Sequence, residues 1–264
     1  MWLQATGKVF FDKMQYRAAV PALVLVVNPR RAHSFSSNLY RMSSSSGATN
    51  EWISLDPNSL SKSSVYKLGI SSIVPRPVAV ITTVSSTGIL NCAPFSYSGL
   101  FSHDPPLVAT GICMSSKGKK DTLVNIEETE EWVFNVLSDS WITEANACSA
   151  EVDPSVNELE IAGLSSIPSQ SIKAPRVKQA MVSMECKLFD KKEVYNDEGT
   201  HTTTIVIGRI IRYHIHESVV ARDEDGEQQE PVTVDLQKMR FVGRAGDVTF
   251  WPAGDGSSIS MKRP

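Results

Sequence analysis

The chain has 264 residues, of which 41% are hydrophobic and 21% charged, and its formal net charge is −3. This composition excludes collagen-like and wholly disordered chains, and the slightly negative charge provides no overall basic field for nucleic acid. The longest apolar run, residues 18–27, is about half the length of a membrane-spanning helix and contains Pro21. The sequence therefore predicts a globular protein with no membrane span and no nucleic-acid partner.

The four cysteines, Cys92, Cys113, Cys148 and Cys186, are far apart in the sequence. This spacing excludes a zinc ribbon and a thioredoxin-like dithiol motif, and it gives no disulfide framework. We expect reduced thiols buried in the core.

The first 50 residues differ in charge from the rest of the chain. They hold six Lys and Arg residues against one acidic residue, Asp12, and seven serines lie between Ser34 and Ser46. A basic, serine-rich and acidic-poor segment is typical of a mitochondrial or plastid transit peptide. Met42 is an alternative start, which would place the protein in the cytoplasm. On either interpretation residues 1–50 are a targeting-like or disordered extension, and residues 51–264 form one domain.

The predicted elements of that domain are mostly strands. Six segments rich in apolar and β-branched residues predict strands at 78–84, 89–97, 107–114, 131–137, 181–190 and 201–216, of which the last two are long. A turn ending at Gly88 joins the first two as a hairpin. Helices are predicted at 121–130, with Asp121 as N-cap, and at 138–150, whereas residues 151–175 are interpreted as irregular. No repeat of 20–50 residues is present, so the pattern indicates an antiparallel β-barrel with short helices.

Several common catalytic motifs are absent from the sequence. It contains no Gly-x-Gly-x-x-Gly after a strand, no Walker loop, no Gly-x-Ser-x-Gly elbow and no His-Glu-x-x-His. His214 and His216 lie two residues apart on a predicted strand and therefore share a face, as a metal-binding pair would. Because no third ligand is near them in sequence, we favour a rim or surface pair and predict no metal site.

Two segments carry the features of an anion site. Arg76 lies between Pro75 and Pro77, which restrict the backbone around a guanidinium whose planar fork matches phosphate oxygens. Lys120 and Thr122 lie at the start of a predicted helix, where backbone N–H groups and the helix dipole favour an anion. Each segment alone is a weak signal.

Together with their neighbours, these segments resemble a known family in order and spacing. The matching segments are SIVPRPVAVITT at 72–83, NCAPFSY at 91–97, DPPLV at 104–108, KDTLVNI at 120–126 and EWVFN at 131–135. They are similar to the flavin reductase-like family of FMN-binding split barrels, of the flavoredoxin type. The resemblance covers residues 65–250.

The resemblance implies a mainly β fold with short helices, a six-stranded antiparallel Greek-key barrel that forms a homodimer and binds FMN at the subunit interface. It assigns to the FMN phosphate Arg76, Ser96, Lys120 and Thr122, with Asp121 beside them at the helix start. It assigns to the wall along the flavin Thr82, Thr83, Asn91, Cys92, Ala93 and Pro94. Which of Lys117, Lys119 and Lys120 meets the phosphate stays open.

The implied function is that of an FMN-binding oxidoreductase in which NAD(P)H passes hydride to bound FMN. The flavin carries this chemistry, so the sequence predicts no catalytic residue. Cys92 is interpreted as a small hydrophobic residue because no resolving cysteine is close in sequence. A non-catalytic FMN-binding or electron-transfer protein without NAD(P)H activity is the alternative.

Overall fold

The computed structural model describes residues 52–228, 230–253 and 261, so the predicted N-terminal extension lies outside the described residues. The helices are α1 Lys62–Ser72, α2 Asp121–Thr129, α3 Ile142–Ala147, α4 Glu158–Ala162 and α5 Leu236–Met239. The strands are β1 Arg76–Pro77, β2 Ala79–Val84, β3 Leu90–Phe95, β4 Ser98–His103, β5 Pro106–Cys113, β6 Glu131–Val136, β7 Ser166–Ile167, β8 Arg176–Val177, β9 Val182–Tyr195, β10 His201–Ile215, β11 Phe241–Ala245 and β12 Thr249–Ala253. No helix within these residues combines the length and apolar character needed to cross a membrane.

Seven strands form one antiparallel sheet in the order β3-β2-β6-β9-β10-β5-β4. The long β9–β10 hairpin forms its centre, and the sheet curls until β3 contacts β5. This mainly β architecture with short helices is the one predicted. The sheet has one strand more than the six of the expected barrel, because the segment after β3 turns back as β4 and pairs with β5. A smaller sheet, β1-β11-β12, lies beside the start of β2.

Strand β2 is buried on both faces. Ala79 and Ile81 pack into a first core cluster with Trp132, whereas Val80 belongs to a second cluster with Trp141. A strand covered on both sides needs apolar residues at successive positions, which explains why this segment is a continuous apolar run. β2 is therefore rigidly held, and β3 pairs with it as the strand at that edge of the sheet.

Several local predictions are wrong. The segment 151–175, interpreted as irregular, contains α4 and β7. Lys120, with extended φ and ψ of −73° and 151°, is the N-cap of α2, and Asp121 is the first helical residue, where its charge still favours the helix dipole. The helix predicted at 138–150 divides into a 3₁₀ turn and α3, because the backbone of Trp141 (φ −142°, ψ 27°) leaves the helical region. Cys113 is exposed at the end of β5, although the other three cysteines are buried and all four are free.

Candidate functional site

A cavity of about 960 Å³ lies against β3 and the start of α2. Eight of the eleven residues predicted to bind the cofactor line it: Arg76, Asn91, Ala93, Pro94, Ser96, Lys120, Asp121 and Thr122. They come from β1, β3 and its following turn, and α2, so the fold brings together segments that are separate in sequence.

The other three predicted residues lie behind the cavity wall. Thr82, Thr83 and Cys92 are completely buried. The Thr82 hydroxyl donates to the carbonyl of Pro175, and Thr83 Oγ1 accepts hydrogen bonds from the side-chain amides of Asn91 (3.2 Å) and of a neighbouring asparagine on α2. In this structure these three residues support the wall and do not face the cavity.

Asn91 connects that support to the cavity. Its Nδ2 donates to Thr122 Oγ1 at 2.8 Å as well as to Thr83 Oγ1. Thr122 Oγ1 therefore has an acceptor site occupied, while its own hydroxyl proton is free to point toward a ligand. The buried amide thus fixes the rotamer of the threonine at the start of α2.

Arg76 is a structural residue as well as a cavity residue. Its Nη1 donates to the carbonyls of Ile70 and Ile73, the latter at 3.1 Å, and its Nη2 donates to the carbonyl of Gly246 at 3.0 Å. These bonds tie the end of α1 to the turn between β11 and β12. The Nε atom is buried and has no hydrogen-bond partner within the described residues.

The three candidate lysines differ in their surroundings. Lys119 Nζ lies 2.6 Å from a carboxylate oxygen of Glu127, which also binds Lys191 at 2.6 Å. Burial would raise the pKa of Glu127, but these two ammonium groups hold it below its ordinary value. Lys120 is half-buried at the N-cap of α2 and makes no ion pair among the described residues, whereas Lys117 is exposed. The two adjacent lysines therefore differ: Lys119 is bound to Glu127, whereas Lys120 has no ion-pair partner among the described residues.

Part of the cavity wall was not predicted. Cys148, at the C-cap of α3, and Glu158, at the start of α4, both line the cavity. The Glu158 carboxylate accepts the backbone N–H of Cys92 at 3.0 Å, and burial raises its pKa. A signal for α4 exists in the sequence: Asn157 caps the helix and Glu160 follows three residues later, which is a capping-box pattern.

Another part of the wall comes from segments near both ends of the described chain. Tyr66 of α1 and Phe250 of β12 line the cavity, and the guanidinium carbon of Arg244 lies 4.5 Å from the centre of the Phe250 ring. Arg244 also donates to the carbonyl of Asp247 at 2.6 Å, so it is held against the hairpin. This wall adds one cation and two aromatic rings to the site.

His214, on β10, and His216, just after its end, do not act together. His214 Nε2 lies 2.5 Å from Glu185 Oε1, and His216 Nδ1 lies 2.7 Å from the Ser218 hydroxyl. Burial would raise the pKa of Glu185, but hydrogen bonds from the Gln170 and Ser171 backbones and from His214 hold it below its ordinary value. Within the described residues no group of three potential ligands could hold a metal ion.

Comparison with known proteins identifies the family. Residues 71–229 match the family described as flavin reductase like domain. An uncharacterised protein of Bacillus subtilis is 36% identical over 160 residues, 61% of this chain and 78% of that protein. Nitrilotriacetate monooxygenase component B from Bacillus cereus superposes with a TM-score of 0.72 at 30% identity, over 80% of this chain and 100% of the other.

A third comparison concerns the fold alone. A Shewanella frigidimarina protein described as a flavin reductase with split barrel domain superposes with a TM-score of 0.62 at 22% identity, over 78% of this chain and 96% of the other. The expected split-barrel fold is thereby confirmed. The family match covers more than half of the chain and includes all the predicted cavity residues. The chain is therefore a member of the flavin reductase-like family and a flavin-related oxidoreductase.

Proposed function

We propose that this chain binds FMN in the cavity beside β3 and acts as an NAD(P)H-dependent oxidoreductase of the flavin reductase type. The observation that supports this most is the convergence of a half-buried lysine, an uncapped helix start and small wall residues on one cavity. FMN has one phosphate, which suits the lysine and the helix start. It has one flat ring system, which suits the small wall residues.

The residues around the start of α2 fit a phosphate. No side chain caps this helix, so its first N–H groups are available to an anion, and Lys120 supplies a positive charge beside them. The Thr122 hydroxyl, oriented by Asn91, adds a donor. The unpartnered Nε of Arg76 is a further buried donor, although the rest of that guanidinium is bound to backbone carbonyls. Asp121 would contribute its backbone N–H, because its carboxylate repels phosphate.

The wall on β3 fits a flat ring. Ala93 and Pro94 present little side-chain bulk, which permits close approach of a ring to the strand backbone. Bound FMN would serve as the acceptor of hydride from a nicotinamide. The chain's own residues then bind and orient the ring and exclude water from one face, so no acid or base is required of them.

An anaerobic spectral experiment separates this proposal from the alternative, a non-catalytic FMN carrier. We expect the full chain loaded with FMN to lose its visible flavin absorbance on mixing with NADH or NADPH, at roughly 1 s⁻¹ or faster, the range of ordinary enzymes. Free FMN with the same nucleotide is the control. Tight FMN uptake with bleaching no faster than in the control would identify a carrier, and no uptake of FMN would contradict both.

Alanine substitution of each of two neighbouring lysines tests the phosphate site. We expect Lys120→Ala to weaken FMN binding about tenfold or more, because a charge-assisted hydrogen bond contributes roughly 1.5–3 kcal/mol. Lys119→Ala removes the same charge from the adjacent position, but that ammonium is already bound to Glu127. It should change the dissociation constant by about twofold at most. Equal losses in the two variants, measured by fluorescence titration of FMN, would show that only the general field matters.

We further propose that β4 meets a second copy of the chain. It is an edge strand of the seven-stranded sheet, and Leu100 and Phe101 on it are 68% and 71% exposed. An edge strand with exposed apolar residues is a template for pairing with another chain, and two-fold dimers are the commonest homo-oligomers. Light scattering should therefore give twice the mass of one chain, and the mass of a single chain would contradict the pairing.

A further inference from the structure

The outer edge of β3 offers acceptors to the cavity and no backbone donor at two successive outward positions. β3 is the last strand of the seven-stranded sheet, so one side of its backbone faces away from β2. On that side the N–H of Cys92 donates to Glu158 Oε2 at 3.0 Å. Pro94 has no N–H, and it shares this side because backbone groups two residues apart in a strand point the same way. The groups that remain at these two positions are carbonyls, which only accept hydrogen bonds.

The Glu158 carboxylate is held in place beside this edge. Glu158 is the first residue of α4, and the N-cap side chain of Asn157 accepts the Leu159 N–H at 3.1 Å. Leu159 is buried in the second core cluster, which anchors the helix. While Oε2 binds Cys92, Oε1 has no hydrogen-bond partner on any other described residue and is not enclosed by protein atoms. Because the residue lines the cavity, Oε1 is the oxygen that opens to it.

Glu158 also differs from the other acidic residues around the cavity. It is 7% exposed. The other described acidic residues that line the cavity are exposed or half-buried: Asp121, Glu151, Asp153 and Asp247. An exposed carboxylate keeps its water, whereas Glu158 has given up most of its hydration and therefore gains more from a hydrogen bond with a ligand.

We propose that Glu158 orients the bound ring: its Oε1 accepts an N–H from the edge of a ring that lies along Ala93 and Pro94. The inference rests on the proposed function, because in oxidised FMN the ring system has a single N–H, at N3 between two carbonyl groups. It assigns the pyrimidine end of the ring to the side of β3 and α4. A charged acceptor binds such a donor more strongly than a neutral one, and it rejects a ring edge that offers only acceptors.

The experiment compares two ligands, FMN and 3-methyl-FMN, in which a methyl group replaces the hydrogen on N3. Fluorescence titrations of the full chain are run at about pH 8, well above the ordinary range of a carboxyl group, so that Glu158 is ionised although burial raises its pKa. We expect the wild-type chain to bind 3-methyl-FMN about tenfold or more weakly than FMN, the loss expected for one hydrogen bond to a charged group.

Two substitutions of Glu158 show whether that preference comes from its carboxylate. In Glu158→Gln the Cys92 N–H retains the amide oxygen, so the NH2 group, a donor, faces the cavity. FMN binding should weaken about tenfold or more, and the preference for FMN over 3-methyl-FMN should fall to about twofold or less. Glu158→Ala leaves room for the methyl group and should also remove the preference.

Glu160→Gln is the matched control. It changes the same side chain two residues further along α4, where Glu160 is exposed and accepts a hydrogen bond from Asn157 at 3.1 Å that glutamine can keep. Both dissociation constants should stay within about twofold of the wild-type values.

The outcomes separate this inference from the proposed function. No uptake of FMN by the wild-type chain would contradict the proposed function itself. FMN uptake with equal affinity for the two ligands, or with the same preference in wild type and Glu158→Gln, would overturn the role of Glu158 and leave the proposed function standing. If both Glu158 variants fail to fold, the wild-type chain decides: a tenfold preference supports the inference and equal binding overturns it.

Discussion

A Gly208→Ala variant should lose about 3 kcal/mol of unfolding free energy, at the upper end of the range for overpacking a core. A Cβ atom at Gly208 in β10 would lie 2.2 Å from Cζ2 of Trp132 and 3.1 Å from the Cβ of Cys186. The Trp132 ring is completely enclosed, so it cannot move aside without displacing its neighbours. For a domain of this size we expect a Tm lower by about 6–12 °C in thermal unfolding.

Two further variants test the physical reason for that loss. Gly69→Ala lies in α1 with no atom within 4 Å of the added Cβ, and alanine is favoured over glycine in a helix by about 1 kcal/mol. It should leave the Tm unchanged or raise it. Combining Gly208→Ala with Trp132→Phe should cost less than the sum of the two single changes, because the smaller ring relieves the clash. A Gly208→Ala protein that melts within about 2 °C of wild type would contradict the packing argument.

An Asn135→Ala variant should lose about 3 kcal/mol, because one buried amide satisfies four partners. Its Nδ2 donates to the Val80 carbonyl at 2.9 Å and to Thr82 Oγ1 at 3.2 Å. Its Oδ1 accepts the Val177 N–H at 3.0 Å and the Ser183 hydroxyl at 2.9 Å. Removing the amide leaves the buried N–H of Val177 without an acceptor, at roughly 1–3 kcal/mol, deprives the Ser183 hydroxyl of its acceptor and leaves a cavity.

Ser183→Ala is the matched comparison for Asn135→Ala. It removes one of the four hydrogen bonds and leaves the amide paired with the other three groups, so we expect a loss of about 1 kcal/mol. Chemical denaturation of the three proteins measures both values. Equal losses in the two variants would mean that the amide acts only through its contact with this serine.

The strands were predictable where burial imposes a pattern. The predictions at 131–137 and 201–216 lie within one residue of β6 and β10, because both are rich in apolar and β-branched residues. β4 was not predicted, since none of its residues is buried and they include Gly99. β9 continues beyond the predicted end at residue 190 to Tyr195, through lysines and a glutamate whose extended form depends on pairing with β10. Tertiary pairing, not local propensity, sets these boundaries.

The residues of the candidate site were likewise only partly predictable from the sequence. The residues of β3 and the start of α2 that line the cavity belong to short sequence segments with their own signals, and they were predicted. Cys148 and Glu158 reach the cavity only because α3 and α4 pack against β3, a long-range contact with no local signature.

The binding of Arg76 to the end of α1 and to the turn after β11 has a consequence for how the protein is made. Residues near both ends of the described chain, Tyr66 and Phe250, face the same cavity, so the ribosome must synthesise nearly the whole domain before the cavity exists. Nascent chains that lack β12 have the β3 wall without the part of the lining that Phe250 contributes. The sheet must therefore fold before the part of the wall contributed by β12 is in place.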